Sequence, residues 1–157
     1  ISNAASVTFT ETAGNFDSSK YDSYIFRFYN VVPASDNVGL NWRSSANNGS
    51  SYDSGSSDYK EGGSGYTFGY IFGTGQVGSD TNETGFNGEV VLFTPHLTTY
   101  TTALAQGAYN DSSGNSQTRS LIAAQRTSAA SVNAIQFLFS SGNIESGEIV
   151  MYGIKNA

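Results

Sequence analysis

Val132-Asn133-Ala134-Ile135-Gln136-Phe137-Leu138-Phe139, a polar stretch from Ser140 to Gly147, and then Glu148-Ile149-Val150-Met151-Tyr152-Gly153-Ile154 form the densest apolar material in the chain. Both apolar runs are rich in aromatic and β-branched residues, and Gly142, Asn143 and Gly147 punctuate the segment between them, so the sequence predicts a β-hairpin with a long connection. Alternation places Ile135, Phe137 and Phe139 on one face, with Ile149 and Met151 on the same face across the hairpin. The rest of the chain must cover that face.

Working outward, Val7 and Phe9 share one side of a short strand over Ser6 to Thr12, and a turn follows at Asn15 to Ser19. Tyr24 to Val32 alternates with Tyr24, Phe26 and Phe28 inward and Arg27 on a wetter side. Pro33 ends it, because proline cannot donate to a ladder. Val38 to Arg43 reads as the next strand, with Leu40 and Trp42 on one side, forming a hairpin with the previous one across Pro33 to Asn37. From Ser44 to Gly65 the apolar periodicity vanishes, which predicts a loop with one weak strand. Tyr66 to Phe72 restores a period of two, and Gly73 to Gly85 is turn-rich. Glu89 to Phe93 is apolar on both faces and predicts a central strand. Leu97 to Gln106 reads as a further strand, and after a loop from Asn110 to Thr118 so does Arg119 to Arg126, although Ser120 to Gln125 would also tolerate a helical turn; the strand is favoured because its surroundings are β and an isolated short helix is marginal. Eight or nine strands suffice for two sheets packed about 10 Å apart. The expected fold is all-β: one antiparallel β-sandwich of jelly-roll type over residues 1–157.

Composition supports that class and narrows the function. Ten Tyr, ten Phe and 18 Gly against two Pro suit many short strands and turns. A net charge of -6 argues against a nucleic-acid backbone as partner. No apolar run approaches the roughly 20 residues that cross a bilayer, so no membrane insertion is expected. With no cysteine, the chain suits a cytosolic protein, a bacterial surface protein or a virion component made in a reducing cytoplasm. The absence of an initiator methionine before Ile1 suggests a fragment or a processed product.

No motif defines a catalytic centre, and no cofactor is expected. Gly73-Thr74-Gly75-Gln76-Val77-Gly78 matches a dinucleotide fingerprint, but Ser79 to Gly85 is turn chemistry where a helix must begin. Asp80, Asn82, Thr84 and Gly85 imitate a calcium loop whose bidentate glutamate position is Val91, which excludes an EF-hand. Loop acids Asp53, Asp58 and Asp111 read as solvated, with a weak cation site as the alternative. His96, the single histidine, has no serine elbow to serve, because Gly62-Gly63-Ser64-Gly65-Tyr66 lacks the final glycine. Three matches to the N-glycosylation pattern, at Asn48, Asn82 and Asn110, read as turn residues. Tyr52, Tyr59 and Tyr109 sit among Ser, Gly and Asn, the setting of adaptable binding surfaces, and are the expected ligand-contacting rings; the alternative is that they anchor their loops or sit in a subunit interface. Tyr29 and Tyr152, opposite the core face of their strands, are expected at a subunit interface.

Tyr24 to Val31 running into Val32-Pro33 with Asp36 after it, Leu40 to Ser44, Gly88 leading into Val90 to Pro95, and Val132 to Ile144 with the terminal Tyr152-Gly153-Ile154 resemble a C-terminal module in structural proteins of tailed phages. The resemblance runs over most of the chain and is strongest at the C-terminus. It implies a β-sandwich in a virion appendage (tail fibre, spike or head decoration), assembled in the host cytoplasm and exposed on the particle. Its partners would be copies of itself, with a trimer favoured, other virion proteins and a host-surface glycan. It implies no catalytic residues. A carbohydrate-binding module of a secreted bacterial protein is the alternative. Far-ultraviolet circular dichroism should show mainly β structure with less than about a tenth helix, since no segment sustains a helical period; a helix-dominated spectrum would overturn the fold assignment.

Overall fold

The computed structural model describes residues 1–17, 20–71 and 77–155. Among these residues there is no helix, and twelve strands follow in order: β1 (Ser2–Ala4), β2 (Val7–Thr10), β3 (Ser23–Pro33), β4 (Leu40–Ser45), β5 (Tyr59–Glu61), β6 (Ser64–Tyr66), β7 (Gly69–Tyr70), β8 (Phe86–Phe93), β9 (Thr102–Asn110), β10 (Ser116–Arg126), β11 (Ala134–Phe139) and β12 (Ile144–Ile154). They form an eight-stranded sheet in the order β1-β12-β3-β8-β9-β10-β5-β6 and a four-stranded sheet in the order β2-β11-β4-β7. Each pairing of named strands is antiparallel. The two sheets pack face to face as a β-sandwich. A jelly-roll winding is not established by this strand order.

Two predicted hairpins do not form, and the reason is the same for both. β3 and β12 pair in the large sheet, while β4 and β11 pair in the small one. At both predicted hairpins the chain therefore crosses from one sheet to the other, between Pro33 and Leu40 and between Phe139 and Ile144. The crossings run side by side: Ala34 N–H donates to Asn143 O at 2.8 Å and Ser140 N–H to Gly39 O at 2.8 Å. Gly142 allows the approach, for it has φ +72° and an added Cβ would lie 2.4 Å from Ser35 Oγ. A period-two pattern specifies which face a strand buries, but not whether its neighbour in sequence lies beside it or across the core. Ile149 and Met151 do pack on the core reached by Ile135, Phe137 and Phe139, but from the opposite sheet.

That core is aromatic. Tyr24, Phe26 and Phe28 are buried along β3, as their alternation predicts. Phe137 enters from the small sheet with its ring centroid 5.0 Å from Phe26 and 5.0 Å from Phe28. Phe9 lies 5.2 Å from Phe26, and Phe86 lies 5.2 Å from Phe28. β8 is the predicted central strand, flanked by β3 and β9, and it ends before Pro95.

Other expectations change in detail. The 44–65 segment carries the end of β4, a loop, and the short β5/β6 pairing rather than one weak strand. Tyr66 to Ile71 does not make one continuous strand. Tyr66, Phe68 and Tyr70 are half-buried, with the Tyr70 ring edge-on to Tyr66 at 4.8 Å and to Phe68 at 5.0 Å, while Gly69 and Ile71 face inward. Phe72 and the Gly73 to Gln76 part of the glycine motif lie outside the described residues. β9 extends through Asn110 and β10 starts at Ser116, so the expected 110–118 loop is a tight turn.

Phe137→Ala removes the ring between Phe26 and Phe28 and should destabilise the protein by roughly 3–5 kcal/mol, the range for a buried phenylalanine that leaves a cavity. Chemical denaturation should show a lower midpoint with an unchanged slope; an unchanged midpoint would mean that the two sheets do not depend on this contact.

Candidate functional site

Tyr59 shows why a tyrosine in a polar tract need not meet a ligand. It is fully buried, and its ring packs edge-on to Trp42 with centroids 5.0 Å apart. Its hydroxyl accepts the Ser44 N–H at 2.7 Å and donates to Asp53 O at 3.3 Å. Arg126, itself 2% exposed, places Nε 2.5 Å from Asp53 Oδ2 and donates from one terminal nitrogen to Ser128 O and Ala130 O. This cluster ties the loop after β4 to β5 and to the end of β10. The hydrogen bonds to Asp53, Ser128 and Ala130 thus supply partners for a buried guanidinium that would otherwise be costly to desolvate.

Tyr109 is also buried, 3% exposed on the inner side of β9. Tyr52 is half-buried, with its hydroxyl folded toward Gly49. The expected ligand-contacting role fails for Tyr59 and Tyr109, whose rings are structural. Flanking Ser, Gly and Asn report a turn-rich neighbourhood but not the side to which the ring goes.

The loop acids are likewise occupied. Asp53 pairs with Arg126, and Asp58 Oδ2 accepts the Gly55 N–H at 2.6 Å. Asp111 accepts the backbone N–H groups of Asn115 and Ser113, which hold its carboxyl below the usual range and close the β9–β10 turn. Among the described residues no cluster of three or more metal-ligating side chains occurs. The turn at Asp80 to Thr84 is pinned to β9 by Asn110, whose Oδ1 accepts from both Thr84 N–H and Thr84 Oγ1. His96 Nε2 lies 3.9 Å from Asp22 Oδ1, and its ring borders a cavity of about 140 Å³ shared with Glu11 and Ser131. That volume is below the roughly 300–1,000 Å³ of small-molecule sites.

The outer face of the large sheet is different. The small sheet covers the inner face only, leaving Tyr29 41%, Phe93 42%, Tyr152 46% and Ile154 41% exposed. Tyr29 and Tyr152 thus lie on one solvent-facing surface, but in different settings. Tyr152, Ile25, Val91 and Leu104 are successive cross-strand partners through β12, β3, β8 and β9, making an apolar row. Ile154 and Phe93 flank that row, both in register with Ser23.

The next row outward is polar. Arg27, Glu89 and Gln106 are partners on β3, β8 and β9, with Gln106 Nε2 donating to Glu89 Oε1 at 2.8 Å and Arg27 Nε 3.7 Å from Glu89 Oε2. Beyond this row lies an open depression of about 610 Å³, bordered by Tyr29 and Arg119 and floored by Gly88 and Gly107. The two glycines are cross-strand partners because Phe86 fills the space beneath them: an added Cβ would lie 2.4 Å from its ring at Gly88 and 2.1 Å at Gly107. Arg27, flagged in the sequence as making its face wet, and Tyr29 and Tyr152, placed opposite the core, were the signals of this surface. Glu89, Gln106 and Arg119 were hidden in strands read for their apolar pattern.

The molecule is an all-β antiparallel sandwich with one broad, chemically divided sheet face open to solvent. No protein family, curated protein or solved structure matches the chain.

Burial pushes the Tyr59 phenol from its ordinary 10 up to about 12, against the opposing pull of its hydrogen bonds from Ser44. Between pH 10 and 12 the native state keeps a proton that the unfolded chain releases, so stability is complete below pH 10 and falls as pH rises toward 12. The loss should reach about 2–3 kcal/mol. Urea denaturation at stepped alkaline pH should show this slope, and Tyr59→Phe should flatten it; an equal slope in the variant would place the titration elsewhere.

Proposed function

We propose that the chain is a non-catalytic virion structural module, part of a tailed-phage appendage (tail fibre, spike or head decoration), that associates with copies of itself and faces the host surface. The observation that carries this reading is the in-register apolar row Tyr152-Ile25-Val91-Leu104 on the exposed sheet face. Apolar side chains aligned across four strands favour burial against a second surface. The sheet edges offer less. The large sheet ends in the three-residue β1 and β6, and the small one in the four-residue β2 and two-residue β7. Such short edges blunt strand-to-strand pairing, so association through the face is the better route. Closed symmetry hides the row without leaving further sticky surface, and the phage resemblance favours three copies. Tyr152 belongs to this interface; Tyr29, in the polar half, lies beside it.

The alternative, a carbohydrate-binding module of a secreted bacterial protein, is favoured by the polar depression next to the apolar row. Mass separates the two. Light scattering should give a multiple of the chain mass, with a trimer favoured, and Tyr152→Glu should shift it toward the monomer while the circular dichroism spectrum stays unchanged. A monomer at micromolar concentration would overturn self-assembly of this chain and favour the binding module.

A further inference from the structure

We propose that the depression on the outer face of the large sheet binds an acidic saccharide, a glycan segment bearing a carboxylate. The inference rests on the proposed host-facing role of the module and adds a site, in the polar half of the face beside the apolar row, and a ligand class.

Four observations carry it. The first is size: about 610 Å³ lies within the range of small-ligand sites and accommodates a few sugar rings, unlike the cavity beside His96. The second is the kind of groups that meet there. Tyr29 offers an exposed ring against which the apolar face of a pyranose can lie, and Gln106 and Glu89 offer a donor and acceptors for its hydroxyls.

The third is charge. The depression is bordered by two arginines, Arg27 and Arg119, against one carboxylate, Glu89. Its lining therefore carries one net positive charge in a chain whose net charge is -6, with Glu148, the partner of Tyr29 on β12, outside the lining. Arg27 is already 3.7 Å from Glu89, whereas Arg119 has no ion pair among the described residues. Arginine presents a planar fork that matches a carboxylate in two parallel hydrogen bonds.

The fourth is backbone irregularity on both sides. The β3–β8 register shifts between Phe28 and Val31, where Asn30 has φ 47° and its N–H is held by Asn87 Oδ1 at 2.9 Å. The β10–β9 register shifts between Arg119 and Ile122, where Leu121 has φ 51°. Arg119 is the partner of Gly107, whose missing side chain would point at the core, yet Arg119 is exposed and borders the depression. Bulges of this kind re-aim side chains and recur beside binding sites. Here they flank the depression at Tyr29 and Arg119.

Other ligand classes fit less well. The floor strands β8 and β9 are paired on both sides, so a peptide cannot add to them as a new strand. One excess positive charge in an acidic chain does not hold a nucleic-acid backbone.

The test is calorimetric titration of the full chain with three acidic probes, tetragalacturonate, tetramannuronate and sialyllactose, and with cellotetraose and polyglutamate as neutral and non-sugar controls. At least one acidic saccharide should bind. Arg119→Gln and Tyr29→Ala should each weaken it by about tenfold or more, the scale of one lost charge-assisted contact, whereas Tyr100→Ala, at an exposed ring that does not line the depression, should leave it unchanged. Equal binding of cellotetraose would overturn the carboxylate component, and equal binding of polyglutamate would overturn the saccharide. No binding of any acidic probe, or binding indifferent to Arg119→Gln, would overturn the site. Light scattering on the same samples keeps the two proposals apart: an oligomer that binds no probe loses the site alone, and a monomer that binds loses self-assembly alone.

Discussion

The contact of Phe137 with Phe26 and Phe28 is the constraint on which the rest of this structure depends. It joins the middle of one sheet to the middle of the other, and each ring pair at this distance adds to the area it buries. For β11 to deliver Phe137 there, it must leave the sheet that holds β12. The paired crossings at 33–40 and 139–144 accomplish this, with the two ribbons turning the corner together. Their mutual hydrogen bonds satisfy backbone groups that a lone crossing would leave to water. A contact between sheets thus sets the topology within each sheet.

This explains which parts of the fold were legible in the sequence. The inward positions along β3 and β11 follow from a strict period of two, and burial of alternate residues is a local property that sequence records directly. Pairing is not local. β3 with β12 and β4 with β11 join residues 89 or more positions apart, and nothing in Tyr24 to Val32 or Glu148 to Ile154 names its partner. The short β5 and β6 were obscured because their stability comes from Tyr59, Trp42 and Arg126 rather than from their own three-residue patterns. An arginine at the end of an ambiguous strand gave no sign that it was to be buried.

The site was less legible still. Aromatic rings among small polar residues suggested binding, yet Tyr59 and Tyr109 serve the core, and the surface with mixed polar and aromatic character lies on strands. Alternation had already placed Arg27 outward, but a charged residue facing solvent is the ordinary condition of a surface strand. What makes it informative is its cross-strand neighbour. Glu89 and Gln106 stand beside Arg27 only because β3, β8 and β9 are adjacent and in that register.

Arg27 sits where the two halves of the open face meet. Its guanidinium lies 5.9 Å above the Tyr152 ring on the apolar side and 3.7 Å from Glu89 on the polar side. A cation that contributes to both surroundings couples them, since any surface that covers Tyr152 also reduces the water around Arg27. Lower local polarity strengthens the attraction between Arg27 and Glu89. A tighter Arg27–Glu89 pair would in turn leave Arg119 as the arginine open to an incoming carboxylate. On this geometry the proposed self-association through the apolar row and the proposed acidic-saccharide binding in the depression would be compatible neighbours on one sheet, and the first would sharpen the selectivity of the second.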